Sequence, residues 1–219
     1  GWSKESEIYQ SGIRNSAFVD QSGEESLAVI DQSGNANGAE VLQGGSAYLE
    51  AAGIDQSGNR NSAMIEQYGF LDLATIDQSG NANDAYAGQN GIFETAEINQ
   101  SGNRNSAETV QVGNLNETVV DQSGNRNAAL VQQLGSEVWV HVNQSANANE
   151  ADVWTAGYLE TSDISQSGNR NYAYTTHVGM GEYSSVDQSG NANEADVLQA
   201  GFLNESYVDQ AGNRGSAIV

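Results

Sequence analysis

A segment led by Gln recurs from one end of this chain to the other. Copies begin at Gln10, Gln21, Gln32 and Gln43, then at Gln56, Gln67, Gln78, Gln89, Gln100, Gln111, Gln122, Gln133 and Gln144, and continue through Thr155, Gln166, His177, Gln188, Gln199 and Gln210. The step is 11 residues throughout, apart from 13 between Gln43 and Gln56. So constant a period over 219 residues predicts one array of stacked supersecondary units, residues 1–219, with 1–9 as a partial first repeat.

Counting each unit from its Gln as slot 1, odd units read Gln-Ser-Gly-Asn-x-Asn-x-Ala and even units Gln-x-Gly-aromatic-Leu-acid-x-Ala, so the full repeat is 22 residues. Slot 10 of the even units is always β-branched: Ile30, Ile54, Ile76, Ile98, Val120, Val142, Ile164, Val186 and Val208. Slots 6, 8, 10 and the following Gln share one parity, which on an extended strand places them on a single inward face. Slots 7, 9 and 11 carry a varied polar mixture suited to solvent. Slots 2–5, such as Ser57-Gly58-Asn59-Arg60, carry turn chemistry. No apolar stripe of helical period appears.

The fold predicted is all-β: a two-sheet β-solenoid of about ten 22-residue strand-turn-strand-turn coils, each advancing about 4.8 Å as in cross-β stacks. The two extra residues fit in the turn at 44–49 and leave Glu50 in slot 6, since an insertion within a strand would exchange its two faces.

In such a stack like residues lie over one another. The glutamines Gln10, Gln32, Gln56, Gln78, Gln100, Gln122, Gln144, Gln166, Gln188 and Gln210 are expected to form a ladder in which each side-chain amide donates to the next. The same is expected of Asn15, Asn37, Asn61, Asn83, Asn105, Asn127, Asn149, Asn171 and Asn193 in slot 6. Each amide left unpaired in the interior would cost about 1 to 3 kcal/mol.

The charges fit the same stack. All six arginines (Arg14, Arg60, Arg104, Arg126, Arg170, Arg214) occupy slot 5 of odd units, mostly alternating with Ala. At about 4.8 Å, like charges repel by about 0.9 kcal/mol even in water. Three of the four Ala-bearing units place an acid in slot 7, namely Asp84, Glu150 and Glu194. Inter-coil pairs such as Arg60 with Asp84, and Arg170 with Glu150 or Glu194, are therefore expected. Slot 6 of even units is usually acidic, at Glu50, Asp72, Glu94, Glu160 and Glu182. Stacked inward, such neighbours would repel by about 3 kcal/mol at an effective dielectric near 20. Raised pKa values, a bound cation or rotation outward would relieve this, and a slot bordering the turn favours rotation outward.

The pattern Gln-x-Gly-x-x-Asn-x-Ala-x-x-x-Gln, complete from Gln56 to Gln67, Gln78 to Gln89, Gln100 to Gln111 and Gln122 to Gln133, resembles the curlin repeat of bacterial curli fibre subunits, and the resemblance covers essentially the whole chain. It implies a secreted functional-amyloid subunit, found extracellularly in cell-surface fibres, that polymerises into biofilm matrix and mediates adhesion. Its partners would be copies of itself and the accessory proteins of secretion and nucleation. Departures are Thr155 and His177 for the closing Gln, Ala146 for Gly, Gly215 for the last Asn, and acids where the family repeat usually has Ser, as at Ser26.

Other classes fit less well. A net charge of -22 argues against nucleic acid as a partner, because phosphate binding needs clustered Lys and Arg. No apolar run approaches the roughly 18 residues of a membrane span. No basic-then-apolar segment opens the sequence, as expected of a chain numbered after processing. No catalytic site, cofactor or metal is expected. His141 lies in an outward slot and His177 in a ladder slot, the serines lack a repeated basic partner, and the glycine-rich calcium-binding repeat is absent. The alternative from another class is a monomeric β-solenoid adhesin or ice- or surface-binding protein, although no outward face carries a regular Thr array.

With no Pro to block a strand edge, each end of the array is expected to offer a template for another copy. The pairs Tyr48-Leu49, Phe70-Leu71, Ile92-Phe93, Tyr158-Leu159 and Phe202-Leu203 fall in even turns, where they would align as an apolar strip or fold back over the turn.

Overall fold

The computed structural model describes residues 4–45 and 48–219. They form two 10-stranded sheets, in which every strand but the outermost pairs in parallel with the strand one coil before and one coil after. The first sheet runs from the strand Glu5–Ile13 to Glu205–Gln210, and the second from Ser16–Gln21 to Ser216–Ile218. The chain alternates between them, one strand each, and so winds a flattened β-solenoid of about ten coils.

Register follows the repeat. Ala52 lies opposite Ala74, Ile54 opposite Ile76 and Gln56 opposite Gln78. Across the insertion the pairing is still Ile30 with Ile54 and Gln32 with Gln56, so the corner absorbs the extra residues and strand parity survives. Residues 46 and 47 of that corner lie outside the described residues. The inward face is thin and regular: in Leu27–Asn35, Ala28, Ile30 and Gln32 are buried while Leu27 and Asp31 are exposed.

The corners differ from the expected turns. In most coils the strand continues through slots 2–4, as in Ala51–Asn59, and the chain reverses at slots 5 and 6. Slot 5 is left-handed whatever residue fills it: Arg60 has φ 58°, Ala82 57°, Leu115 57° and Phe93 58°. Slot 3 needs glycine for a separate reason. A β-carbon on Gly58 would lie 2.0 Å from the Gly80 carbonyl oxygen, and one on Gly80 would lie 2.0 Å from that of Gly102. Ala146 breaks this series with φ 95°. From the next coil onward the first-sheet strands stop at their Gln, as in Thr161–Gln166, and a bridge from Asn169 to Asn191 carries the corner instead.

Candidate assembly site: amide ladders and open sheet edges

The ten slot-1 glutamines of the first sheet are joined in one line. Nε2 of Gln10 donates to Oε1 of Gln32 (2.7 Å), Gln32 to Gln56 (2.8 Å), Gln56 to Gln78 (2.7 Å), Gln78 to Gln100 (2.8 Å) and Gln100 to Gln122 (2.8 Å). Gln122 donates to Gln144 (2.8 Å), Gln144 to Gln166 (2.9 Å), Gln166 to Gln188 (2.9 Å) and Gln188 to Gln210 (2.8 Å). The second N–H crosses the coil: Gln56 donates to the Gly38 carbonyl at 2.9 Å and Gln78 to that of Ser62 at 2.8 Å. Each buried amide thus ties a coil to its neighbour and one sheet to the other.

A parallel line in the second sheet runs from Gln21 to Gln133 and then breaks. Thr155 Oγ1 is buried without a hydrogen-bond partner. His177 is fully buried and meets Ser184 Oγ at 2.9 Å, a neighbour within its own coil. Burial lowers its pKa to about 4, so the ring is neutral.

The slot-6 asparagines stack, but not amide to amide as the sequence suggested. The backbone N–H of Asn83 donates to Oδ1 of Asn61 (3.1 Å), and Nδ2 of Asn61 donates to the carbonyls of Ser57 (3.0 Å) and Gly80 (3.3 Å). Asn37, Asn105, Asn127, Asn149, Asn171 and Asn193 each give their own N–H to the preceding asparagine, beginning with Asn37 to Asn15. The reason is reach: at a reversing corner the short side chain lies among free backbone groups and satisfies those first. The amide-to-amide asparagine ladder is in slot 4, which the sequence reading assigned to turn chemistry. There Asn59 donates to Asn81 (2.9 Å), Asn81 to Asn103 (2.8 Å) and Asn103 to Asn125 (2.8 Å), all exposed. The constancy of Asn in that slot was the available signal.

The expected charge pairs do not form. Among the described residues the only contacts within 4.0 Å between a basic side chain and a carboxylate involve His141, at 3.1 Å from Asp163 and 3.8 Å from Asp121. Arg60, Arg104, Arg126, Arg170 and Arg214 project from left-handed corner positions, while Asp84, Glu150 and Glu194 begin second-sheet strands with their side chains exposed. At a solvated edge a bridge gains too little to hold two mobile side chains together.

The even-corner acids also depart from expectation. Rather than turning outward, Glu50, Asp72, Glu94, Glu160 and Glu182 are buried, in a column that also holds Ser26, Asn116 and Val138. Slot 6 has the inward parity of slots 8 and 10, and backbone N–H groups await an acceptor there. Gly69 N–H donates to Glu50 Oε1 (2.9 Å), Glu94 N–H to Asp72 Oδ1 (2.9 Å) and Gly179 N–H to Glu160 Oε1 (3.1 Å). Burial and then the nearby Asp72 push Glu50 up to about 8, Glu94 likewise rises to about 7, and burial raises Asp72. Burial followed by Glu182 raises Glu160 to about 7.

Two surfaces remain for association. The even-turn residues form an exposed apolar edge, with Tyr48 stacked on Phe70 at 5.3 Å between ring centroids and Phe70 edge-on to Phe93 at 6.4 Å. The stack ends form the second. Gln10 Oε1 accepts from no described residue, and Gln210 Nε2 donates only to the Glu194 carbonyl. Among the described residues the line of amides therefore ends in an acceptor at one face and a donor at the other, beside the outermost described strands of the sheet, Glu5–Ile13 and Glu205–Gln210.

A search of curated proteins found no match for this chain. The family model described as the curlin associated repeat matches it five times, at residues 7–34, 72–102, 94–124, 102–135 and 190–219. With matches spanning more than half of a chain whose coils, register and Gln lines follow the same period, the protein belongs to the curlin associated repeat family.

Proposed function

We propose that this chain is a structural, non-enzymatic subunit of an extracellular curli-type amyloid fibre, polymerising head to tail to build biofilm matrix and mediate adhesion. The observation that carries this reading is the polarity of the Gln line. Among the described residues its last acceptor at Gln10 and last donor at Gln210 are complementary, and they sit beside the outermost described strands of the same sheet. A second copy set on the Glu205–Gln210 face would bring its Glu5–Ile13 strand into parallel register and extend the first sheet, while its Ser16–Gln21 strand continued the second. Such a heterologous contact does not close and gives a filament. Curlin-repeat membership supports the extracellular setting.

The test is incubation of purified protein followed by electron microscopy, fibre diffraction and seeded kinetics. Filaments with a repeat of about 4.8 Å along the axis are expected. Sonicated fragments should shorten the lag, and removal of residues 4–21, which supply the first strand of each sheet, should slow elongation. A protein that stays monomeric or ignores seeds, or filaments that elongate equally fast without those residues, would contradict the reading.

A further inference from the structure

The buried acids of the even corners stand where the fold elsewhere places asparagine. Asn116, in the same column, displays the requirement: its Oδ1 accepts the Val138 N–H (3.2 Å) and its Nδ2 donates to the Gly135 carbonyl (3.2 Å). Asn171 repeats this in the opposite corners, with Nδ2 donating to the Gly190 carbonyl at 3.0 Å. That nitrogen stands 3.1 Å from where a β-carbon on Gly168 would lie. The slot thus asks for one acceptor and one donor.

Asp72 has the size and shape of asparagine and supplies the acceptor, Oδ1, to the Glu94 N–H. Its Oδ2 lies against Gly69, on the side where Asn171 holds its nitrogen. The position of a β-carbon on Gly69 would be 2.1 Å from Asp72 Oδ2, 2.3 Å from the Gly91 carbonyl oxygen and 2.8 Å from the Gly91 nitrogen, so Oδ2 faces the Gly91 backbone with its carbonyl oxygen the nearer atom. Asp72 Oδ2 is buried and receives no hydrogen bond. Glu50, Glu160 and Glu182 repeat the arrangement with a longer arm: in each, Oε1 accepts a hydrogen bond and Oε2 is buried without one. Glu94 differs, with donors on both oxygens from the Asn90 N–H (3.0 Å) and Asn116 Nδ2 (3.1 Å).

Among the described residues no cationic side chain offsets these groups. The arginines occupy the opposite edge, and Lys4 donates to the Gln21 carbonyl at the first coil, where the column holds Ser26. The titratable neighbours are themselves acids or a phenol: Asp72 lies between Glu50 and Glu94, Glu182 faces Glu160, and Tyr68 faces Glu50.

We propose that Asp72, Glu50 and Glu160 enter the coil stack as neutral carboxylic acids, each an asparagine substitute, so that forming the solenoid takes up protons from solution. Each carboxylate gains one proton, and in Asp72 the new O–H points a donor toward the side of its corner where the Gly91 carbonyl oxygen lies. An ionised carboxylate there would set negative oxygens against buried oxygens, an arrangement that a low-dielectric interior penalises.

The sign follows. A group that holds its proton more tightly when folded stabilises fully below the ordinary carboxylate range and loses that contribution as pH rises through its folded value. For Glu50 the window runs from 4.5 to about 8, and for Glu160 from 4.5 to about 7. Within it each such carboxyl lowers the folding equilibrium about tenfold per pH unit. All three lie within one chain, so the inference holds whether or not chains join.

The experiment combines unfolding at low protein concentration across pH 4.5–8.5 with direct measurement of protons released on unfolding in weak buffer. It compares the wild type, D72N, and the variant E50Q/D72N/E160Q. The wild type should release several protons near pH 6 and lose stability as pH rises. D72N should keep its β-structure and release fewer protons than the wild type, and the threefold variant fewer still. A wild type that releases none, or a folded D72N with an unchanged proton count, overturns the proposal. Should D72N fail to fold, the wild-type count decides alone.

Discussion

Gln122 donates one amide hydrogen to Gln144 at 2.8 Å and the other to the Ser106 carbonyl at 2.9 Å, so a single side chain bonds a coil to the next and one sheet to its opposite. Gln122→Ala removes both bonds and leaves Gln100 Nε2, Gln144 Oε1 and the Ser106 carbonyl short of a partner in a buried site. A loss of about 3 kcal/mol or more is expected in chemical denaturation. Ser123→Ala, on the exposed face beside it, should change stability by less than about 0.5 kcal/mol.

Glycine matters by slot, and two substitutions separate the cases. Gly80→Ala would put a β-carbon 2.0 Å from the Gly102 carbonyl at φ 110°, and should cost about 3 kcal/mol or prevent folding. Gly38, which begins a strand with nothing within 4 Å of its would-be β-carbon, should accept Ala with a gain of about 0.4 to 1 kcal/mol. Thermal midpoints of the two variants would show the contrast.

His177 gives a pH dependence opposite to that of the acids. Burial lowers its pKa from 6.5 to about 4, so the unfolded chain binds its proton first as pH falls. Its contribution is complete above pH 6.5 and declines toward pH 4, by up to about 3 kcal/mol. Replacement by Gln should remove that decline, and the difference in unfolding free energy between H177Q and the wild type, followed against pH, isolates it.

The arginines should prove energetically independent of the acids. A double-mutant cycle on Arg60→Ala and Asp84→Ala is expected to give a coupling below about 0.3 kcal/mol, since exposed pairs that do not meet contribute little. Arg126→Gly should be stabilising by about 0.5 kcal/mol, because the left-handed strain at φ 60° that it relieves exceeds the added flexibility of the unfolded chain. A measurable Arg60–Asp84 coupling would point to an ion pair in solution.

Strands, their inward parity, the pairing of each coil with the next and the placing of the insertion were all legible from spacing, because a strict 22-residue period leaves one way to stack like on like. The bonding of particular atoms was not. Asn61 stacks on Asn83 as expected, yet it does so through the backbone, since a corner leaves main-chain groups free that a periodicity argument does not see. Spacing assigned Glu50 and Asp72 the inward parity, but the expected charge repulsion argued them outward; a proton removes that repulsion. The left-handed slot 5 was hidden because Arg, Ala, Leu and Phe all occupy it, and none of these residues signals that conformation.

The interruption at Thr155 and His177 has a mechanical consequence. Under tension along the axis, the first sheet meets the load with an unbroken cord of amides from Gln10 to Gln210, whereas the second has a gap in its cord between Gln133 and Gln199. The coils around that gap are where a stretched molecule should begin to tear, and from one side only, so that it hinges open before it snaps.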